Sequence, residues 1–196
     1  MKKSFTLFST IALLSMCVSF TSCMDEDTER SMALSGQWTG DWGMYYDYQD
    51  YYGRVYRCYS YRTDIVFYPD YDYATHGYGY QVDWYGRDSY YEKLSFRFVW
   101  SIRNGIVDIY YPGYHEYDTF IRDYSLSNNY FRGYLGNSNT SFRLSKIWDY
   151  YNWSYYYGYD YYPWEWGYYG KTRTDSGEET PAPNGQIIKI GSKYME

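Results

Sequence analysis

The chain has little of what active sites are usually made from. Among 196 residues it has two histidines, His76 and His115, and three cysteines, Cys17, Cys23 and Cys58. No G-x-S-x-G, P-loop or H-E-x-x-H pattern occurs, so nucleophile-elbow hydrolysis, phosphate cradling and zincin chemistry have no carrier. His115-Glu116 and nearby Asp118 could ligate a metal, but a lone loop histidine is weak ground for one, and no metal or cofactor is expected. Bases are also scarce, with 18 Lys and Arg against 24 Asp and Glu. A surface short of cations disfavours nucleic acid, whose binding depends on neutralising phosphates. Proline is rare, and only one long apolar run exists, at the very start. The sequence therefore reads as a non-enzymatic binding or structural protein.

What the chain has in excess is aromatic side chains, with 34 Tyr, 8 Trp and 9 Phe. They are densest in "YYNWSYYYGYDYYPWEWGYYG", residues 150–170, where almost every position is aromatic or glycine. So many hydroxyls exclude a membrane span, which needs about 20 mainly apolar residues.

The N-terminus is the most informative segment. Met1-Lys2-Lys3, the apolar "FTLFSTIALLSMCVSF" and the small residues that follow describe a secretory signal peptide over residues 1–22. "FTSC" resembles the lipobox of bacterial lipoproteins: Thr21 and Ser22 precede the lipidated position Cys23, with Phe20 where the pattern prefers Leu, Val or Ile. The resemblance implies acyl chains on Cys23. Each buried methylene contributes about 0.8 kcal/mol to membrane anchoring. Met24 in place of Asp lacks the inner-membrane retention pattern. The acidic "MDEDTERS" resembles the run that routes some lipoproteins to the cell surface. Expected localisation is thus a lipid anchor in the bacterial envelope, at the outer membrane and facing the surface. Residues 23–34 read as a solvated acidic tether.

Removing residues 1–22 takes away Lys2, Lys3 and Cys17 and no acid, which leaves 16 bases against 24 acids and a mature charge of −8. With Cys23 lipidated, Cys58 is the remaining thiol and reads as a half-buried small hydrophobe. About 170 mature residues fit one domain.

Residues 35–148 read as strands. "EKLSFRFVWSIRNGIVDIYY" is the clearest case: Leu94, Phe96, Phe98, Trp100 and Ile102 alternate with Lys93, Ser95, Arg97, Val99 and Ser101. Asn104-Gly105 supplies the positive φ angles of a two-residue hairpin turn. That turn pairs Arg103 with Ile106, Ile102 with Val107 and Trp100 with Ile109. Further runs are "GQWTGDWGMYY", "RTDIVFYP", "YGYQVDWY", "YDTFIRDY", "YFRGYL" and "TSFRLSKIW", with no convincing amphipathic helix between them. Eight antiparallel strands in simple succession predict a closed all-β up-and-down barrel, with a β-sandwich as the alternative.

"LSGQWTG" carries a second resemblance. Gly36-Gln37-Trp38 is similar to the G-x-W motif opening the first strand of lipocalins, and Arg122-Asp123-Tyr124 is a loose echo of that family's T-D-Y. Over residues 34–148 the resemblance implies a lipocalin-like barrel whose end is plugged by Trp38, with Gly36 beside it. It also implies an arginine packed on that ring from the last strand, for which Arg143 is the candidate.

The bulky inward candidates, Trp38, Trp42, Phe67, Trp84, Phe96, Phe98, Trp100, Phe131 and Phe142, favour a filled core over a roomy lipid-binding cup. Most tyrosines are then expected to be surplus to the core. They are default strand formers, or a binding surface whose rings stack on a glycan or small amphiphile, or a self-associating segment. On the binding reading the contacts fall on Trp153, Trp164, Trp166, Tyr161 and Tyr162 within the 149–170 segment. On the structural reading the same segment contacts an envelope protein or itself. Residues 171–196 read as a flexible tail in which "QIIKIGSKY" is a short strand, on a barrel edge or donated to a partner.

Overall fold

A computed structural model of the chain describes residues 25–112, 118–148 and 185–195. Residues 1–22, expected to be a signal peptide, and Cys23, His115, Trp153, Tyr161, Tyr162, Trp164 and Trp166 lie outside the described residues. Helix α1 spans Glu26–Leu34, and the strands are β1 (Gly36–Asp41), β2 (Met44–Asp50), β3 (Val55–Pro69), β4 (His76–Tyr85), β5 (Lys93–Arg103), β6 (Ile106–Tyr110), β7 (Thr119–Leu126), β8 (Tyr130–Leu135), β9 (Ser141–Ile147) and β10 (Gly185–Ser192).

Strands β3 to β9 each pair with the next, β9 pairs with β1, and β1 pairs back onto β3. The result is a closed eight-stranded antiparallel barrel of the lipocalin-like kind, as the succession of strands predicts. The β5–β6 hairpin has the expected register, Arg103 opposite Ile106, Ile102 opposite Val107 and Trp100 opposite Ile109. Asn104 and Gly105 have φ of 53° and 75°, the left-handed pair that such a turn needs.

The run from Gly36 to Tyr46 is not one strand. It breaks at Trp42-Gly43, where Gly43 has φ of 71° and a side chain there would strike the Tyr194 ring. Beyond the break, β2 pairs with the first half of the 15-residue β3, and β10 pairs with β2. This three-stranded arm extends past one end of the barrel. "QIIKIGSKY" therefore contains a strand, and its partner is this chain's own β2. Cys58 sits half-buried in β3 against the core.

The arm also corrects the view that tyrosine is surplus. Tyr45, Tyr46, Tyr48, Tyr85, Tyr91 and Tyr111 are all buried. Tyr46 packs edge-on to Tyr85 and Tyr91 with centroids at 4.7 and 5.8 Å, and Tyr48 stacks on Tyr90 at 3.7 Å. A buried phenol needs a hydrogen-bond partner. Tyr46 Oη donates to the Tyr91 carbonyl and accepts from the Tyr91 amide.

The stretch expected to be a solvated tether is, over Glu26–Leu34, helix α1 packed across the opposite end of the barrel. Leu34 and Ser31 are buried. The Asp27 carboxylate accepts from the Asn104 and Gly105 amides at 2.6 and 2.8 Å. Ser31 Oγ donates to the Ala74 carbonyl. The acidic residues here cap a hairpin turn as well as meeting water.

Candidate functional site

The interior of the barrel is filled. Trp38, Phe67, Phe98, Trp100, Phe131 and Phe142 are each at most 2% exposed, and their rings pack tilted or edge-on, as for Phe131 against Phe142 at 4.9 Å. Trp38 is fully buried next to the end of helix α1, its Nε1 donating to the Leu34 carbonyl at 2.7 Å. Arg143 does not pack on it. Phe142 and Leu144 point inward, so Arg143 between them is exposed. The cation over Trp38 is Lys146, directly opposite it in register, with Nζ 4.5 Å from the ring centroid. Lys146 also donates to the Ala33 and Ser35 carbonyls, and burial lowers its pKa to about 8. Gly36, at φ of 108°, leaves room for this lysine, whose Cε would lie 3.2 Å from an added Cβ.

Strand β4 has the opposite sense from the one expected of its bulky residues. Its inward face is Gly77, Gly79, Gln81, Asp83 and Tyr85, while Tyr78, Tyr80, Val82 and Trp84 form the outer face. Trp84 is therefore no part of the barrel interior. The reason is volume. An added Cβ on Gly79 would lie 2.1 Å from Phe98 Cζ, so β5 fills the space that β4 leaves empty.

This inversion buries a polar cluster. Thr63 Oγ1 donates to Asp83 Oδ1 at 2.5 Å, Gln81 Nε2 donates to Asp83 Oδ2 at 2.9 Å, and Tyr111 Oη donates to Gln81 Oε1 at 2.7 Å. Burial pushes the Asp83 carboxyl up to about 7 against the lowering effect of the two donors, and the neighbouring Asp64 charge adds to the rise. Burial likewise raises the Tyr111 phenol well above its ordinary value.

The inversion also creates an aromatic lattice on the outside. Tyr68 lies opposite Tyr78, Val66 opposite Tyr80 and Arg62 opposite Trp84 across β3–β4; Tyr78, Tyr80 and Trp84 face Val99, Arg97 and Lys93 across β4–β5. Tyr68, Tyr78 and Tyr80 form a triangle of rings with centroids 5.3 to 6.2 Å apart. Val66 and Val82 are fully buried beneath Tyr68, Tyr80 and Trp84. Trp84 lies between Arg62, 4.8 Å from its ring, and Lys93, at 5.9 Å. Its Nε1 donates to Asp64 Oδ2 at 2.7 Å, and Thr39 Oγ1 donates to Asp64 Oδ1 at 2.6 Å. Arg97 lies over the Tyr80 ring at 5.3 Å. Half-buried, Lys93 has a pKa lowered by desolvation. The face thus combines flat apolar rings with three cations and a hydrogen-bonded carboxylate. Arg62 is held by Asp64 at 3.1 Å and Trp84 by its indole bond, so these two groups are fixed before any ligand arrives.

Sequence reasoning missed this face because it placed Trp84 inside. The signal was present in the alternate glycines, Gly77 and Gly79, which mark the side where neighbours press closest, the Tyr68 carbonyl of β3 at Gly77 and the Phe98 ring of β5 at Gly79. No protein-family model, curated protein or solved structure matches the chain.

Proposed function

We propose that this protein is a lipid-anchored binding module of the bacterial envelope, without catalytic activity, whose aromatic outer face contacts a glycan. The observation that carries this is the Tyr68–Tyr78–Tyr80–Trp84 lattice on the outside of a barrel whose inside is full. Among the described residues the interior is occupied by buried side chains, which shifts binding to the outer wall. Rings of low conformational freedom, framed by Arg62, Lys93 and Arg97, suit a ligand with both flat C–H faces and hydroxyls. The exported, surface-facing location and the anchor rest on residues 1–22 and on Thr21-Ser22-Cys23.

Two experiments test this. The full chain applied to a glycan array should retain a defined subset of oligosaccharides. The double variant Tyr78→Ala with Tyr80→Ala should weaken binding about tenfold, the equivalent of about 1.4 kcal/mol of stacking. A blank array, or a double variant that binds as well as wild type, would remove the glycan. For the anchor, Cys23→Ala should abolish incorporation of a palmitate analogue and release the protein from membranes or leave an uncleaved precursor. Equal labelling of the variant and wild type would refute lipidation at Cys23.

A further inference from the structure

On the far side of the barrel from the tyrosine lattice, strand β7 carries an irregularity in its pairing with β8. Asp123 and Tyr124 lie between the pairs Arg122–Tyr134 and Ser125–Arg132, so two residues of β7 face the single Gly133 of β8. Such a bulge re-aims side chains. Ile121 points inward, and strict alternation would send Asp123 inward after it. Asp123 instead has φ of 51°, the left-handed region, and its carboxylate is turned out to solvent beside Arg122. Tyr124 takes the inward place, packing edge-on against Phe131 at 5.7 Å.

The turned-out carboxylate borders a pocket of about 350 Å³ between β7 and the 136–139 turn, lined also by Arg122, Tyr134, Asn137, Ser138 and Asn139. That volume is within the ~300–1,000 Å³ range of small-molecule sites. The walls are fixed. The Gly136 amide donates to the Phe120 carbonyl at 2.8 Å, the Ser138 amide to the Leu135 carbonyl at 3.1 Å, and the Thr140 amide to Ser138 Oγ at 3.0 Å. Arg122 lies over the Phe120 ring at 4.8 Å and donates from Nη2 to Asn137 Oδ1. By contrast, the Asp123 carboxylate, the Asn139 carboxamide and the Tyr134 hydroxyl form no hydrogen bond with the described residues.

We propose that this pocket is a subsite for one neutral sugar residue with free vicinal hydroxyls. A carboxylate and a carboxamide accept from and donate to adjacent hydroxyls, the held guanidinium offers its remaining N–H groups, and the Tyr134 ring presents a flat wall to a C–H face. The Asp123 and Arg122 charges offset each other, so the pocket selects for hydroxyls rather than for net charge, which suits an uncharged polyhydroxylated ligand. The site takes its ligand class from the glycan reading and is otherwise independent of the tyrosine lattice.

Titration of the isotope-labelled full chain with the methyl glycosides of glucose, galactose and mannose tests it, with cyclohexanol as a ring lacking vicinal hydroxyls. At least one glycoside should give saturable amide shifts confined to residues 122–123 and 134–139, with Kd on the order of 1 mM, and cyclohexanol none. Asp123→Gly removes the carboxylate while suiting the left-handed backbone, so the fold is kept, and binding should fall more than tenfold. Tyr78→Ala with Tyr80→Ala should leave these shifts unchanged. Absence of saturable shifts with all three glycosides, an Asp123→Gly variant that binds normally, or equal shifts with cyclohexanol would each overturn the subsite. An array signal lost on Tyr78→Ala with Tyr80→Ala, together with no saturable pocket shifts from any glycoside, would remove the subsite and keep the module. A blank array with pocket shifts present would do the reverse.

Discussion

Trp100→Ala should destabilise the protein by about 3–5 kcal/mol, measured by urea unfolding, the range for a large aromatic removed from a packed core. Trp100 is 2% exposed. Its ring meets Phe67 edge-on at 6.0 Å, and its Nε1 donates to the Tyr68 and Tyr78 carbonyls at 3.2 and 3.1 Å. The substitution therefore leaves a void in the barrel and removes the indole donor to two strand carbonyls. Neighbouring rings on β3 and β5 are held by backbone pairing on both sides and can collapse only partly. A loss under about 1 kcal/mol would mean that the site is loosely packed and that the barrel interior is not the solid block described above.

The second large effect depends on pH. Asp83 has its carboxyl pushed up to about 7 by burial, against about 3.9 in an unfolded chain. The folded state then holds this proton more tightly than the unfolded state. The contribution to stability is complete below pH 4 and is lost as pH rises to about 7, a change of roughly 4 kcal/mol for three pKa units. Asp83→Asn removes the titration. It keeps an acceptor for Thr63 but sets an amide against the Gln81 amide, a pH-independent cost of about 1 kcal/mol. Near pH 4 the variant should be the less stable of the two, and near pH 8 the more stable. The difference between their urea midpoints isolates this carboxyl from every other titrating group. Parallel stability profiles from pH 4 to 8 would show that Asp83 is not titrating in this window.

The sequence was most legible where two independent signals coincided. In β5–β6, alternation and an Asn-Gly turn imposed the same register, and residues 93–110 have it. It was least legible where one strand offered two plausible faces. In β4 the apolar set, Tyr78, Tyr80, Val82 and Trp84, faces out, because on the inside the β3 backbone leaves no room for a side chain at Gly77, the Phe98 ring leaves none at Gly79, and the compact Gln81–Asp83 pair takes the places beyond. Hydrophobicity ranks single residues, whereas the barrel selects summed volume across neighbouring strands. The shift from Arg143 to Lys146 has a similar origin: the parity of β9 decides which cation reaches Trp38. Helix α1 has a polar composition and is held by Asp27 and Ser31 to turns distant in sequence, contacts that no local pattern announces. The aromatic contact residues expected between 149 and 170 lie outside the described residues. The face and pocket proposed above are made of others, and the bulge at Asp123 that shapes the pocket has no marker in the sequence.

The arm has a consequence in time. Ser192 Oγ donates to the Trp42 carbonyl across 150 positions of sequence, and β10 supplies the outer edge of β2. Until residues 185–195 are in place, β2 presents bare amides and carbonyls beside Tyr45, Tyr46 and Tyr48. A sticky edge next to exposed rings invites pairing between nascent chains. Barrel closure by β9 can come earlier, since it needs nothing beyond Ile147. On a growing chain the pairing of β10 with β2 therefore becomes possible only after the strands that close the barrel have been made. β10 then becomes the outermost strand of the arm, and the irregularity between Ile187 and Lys189 blunts that new edge against further pairing.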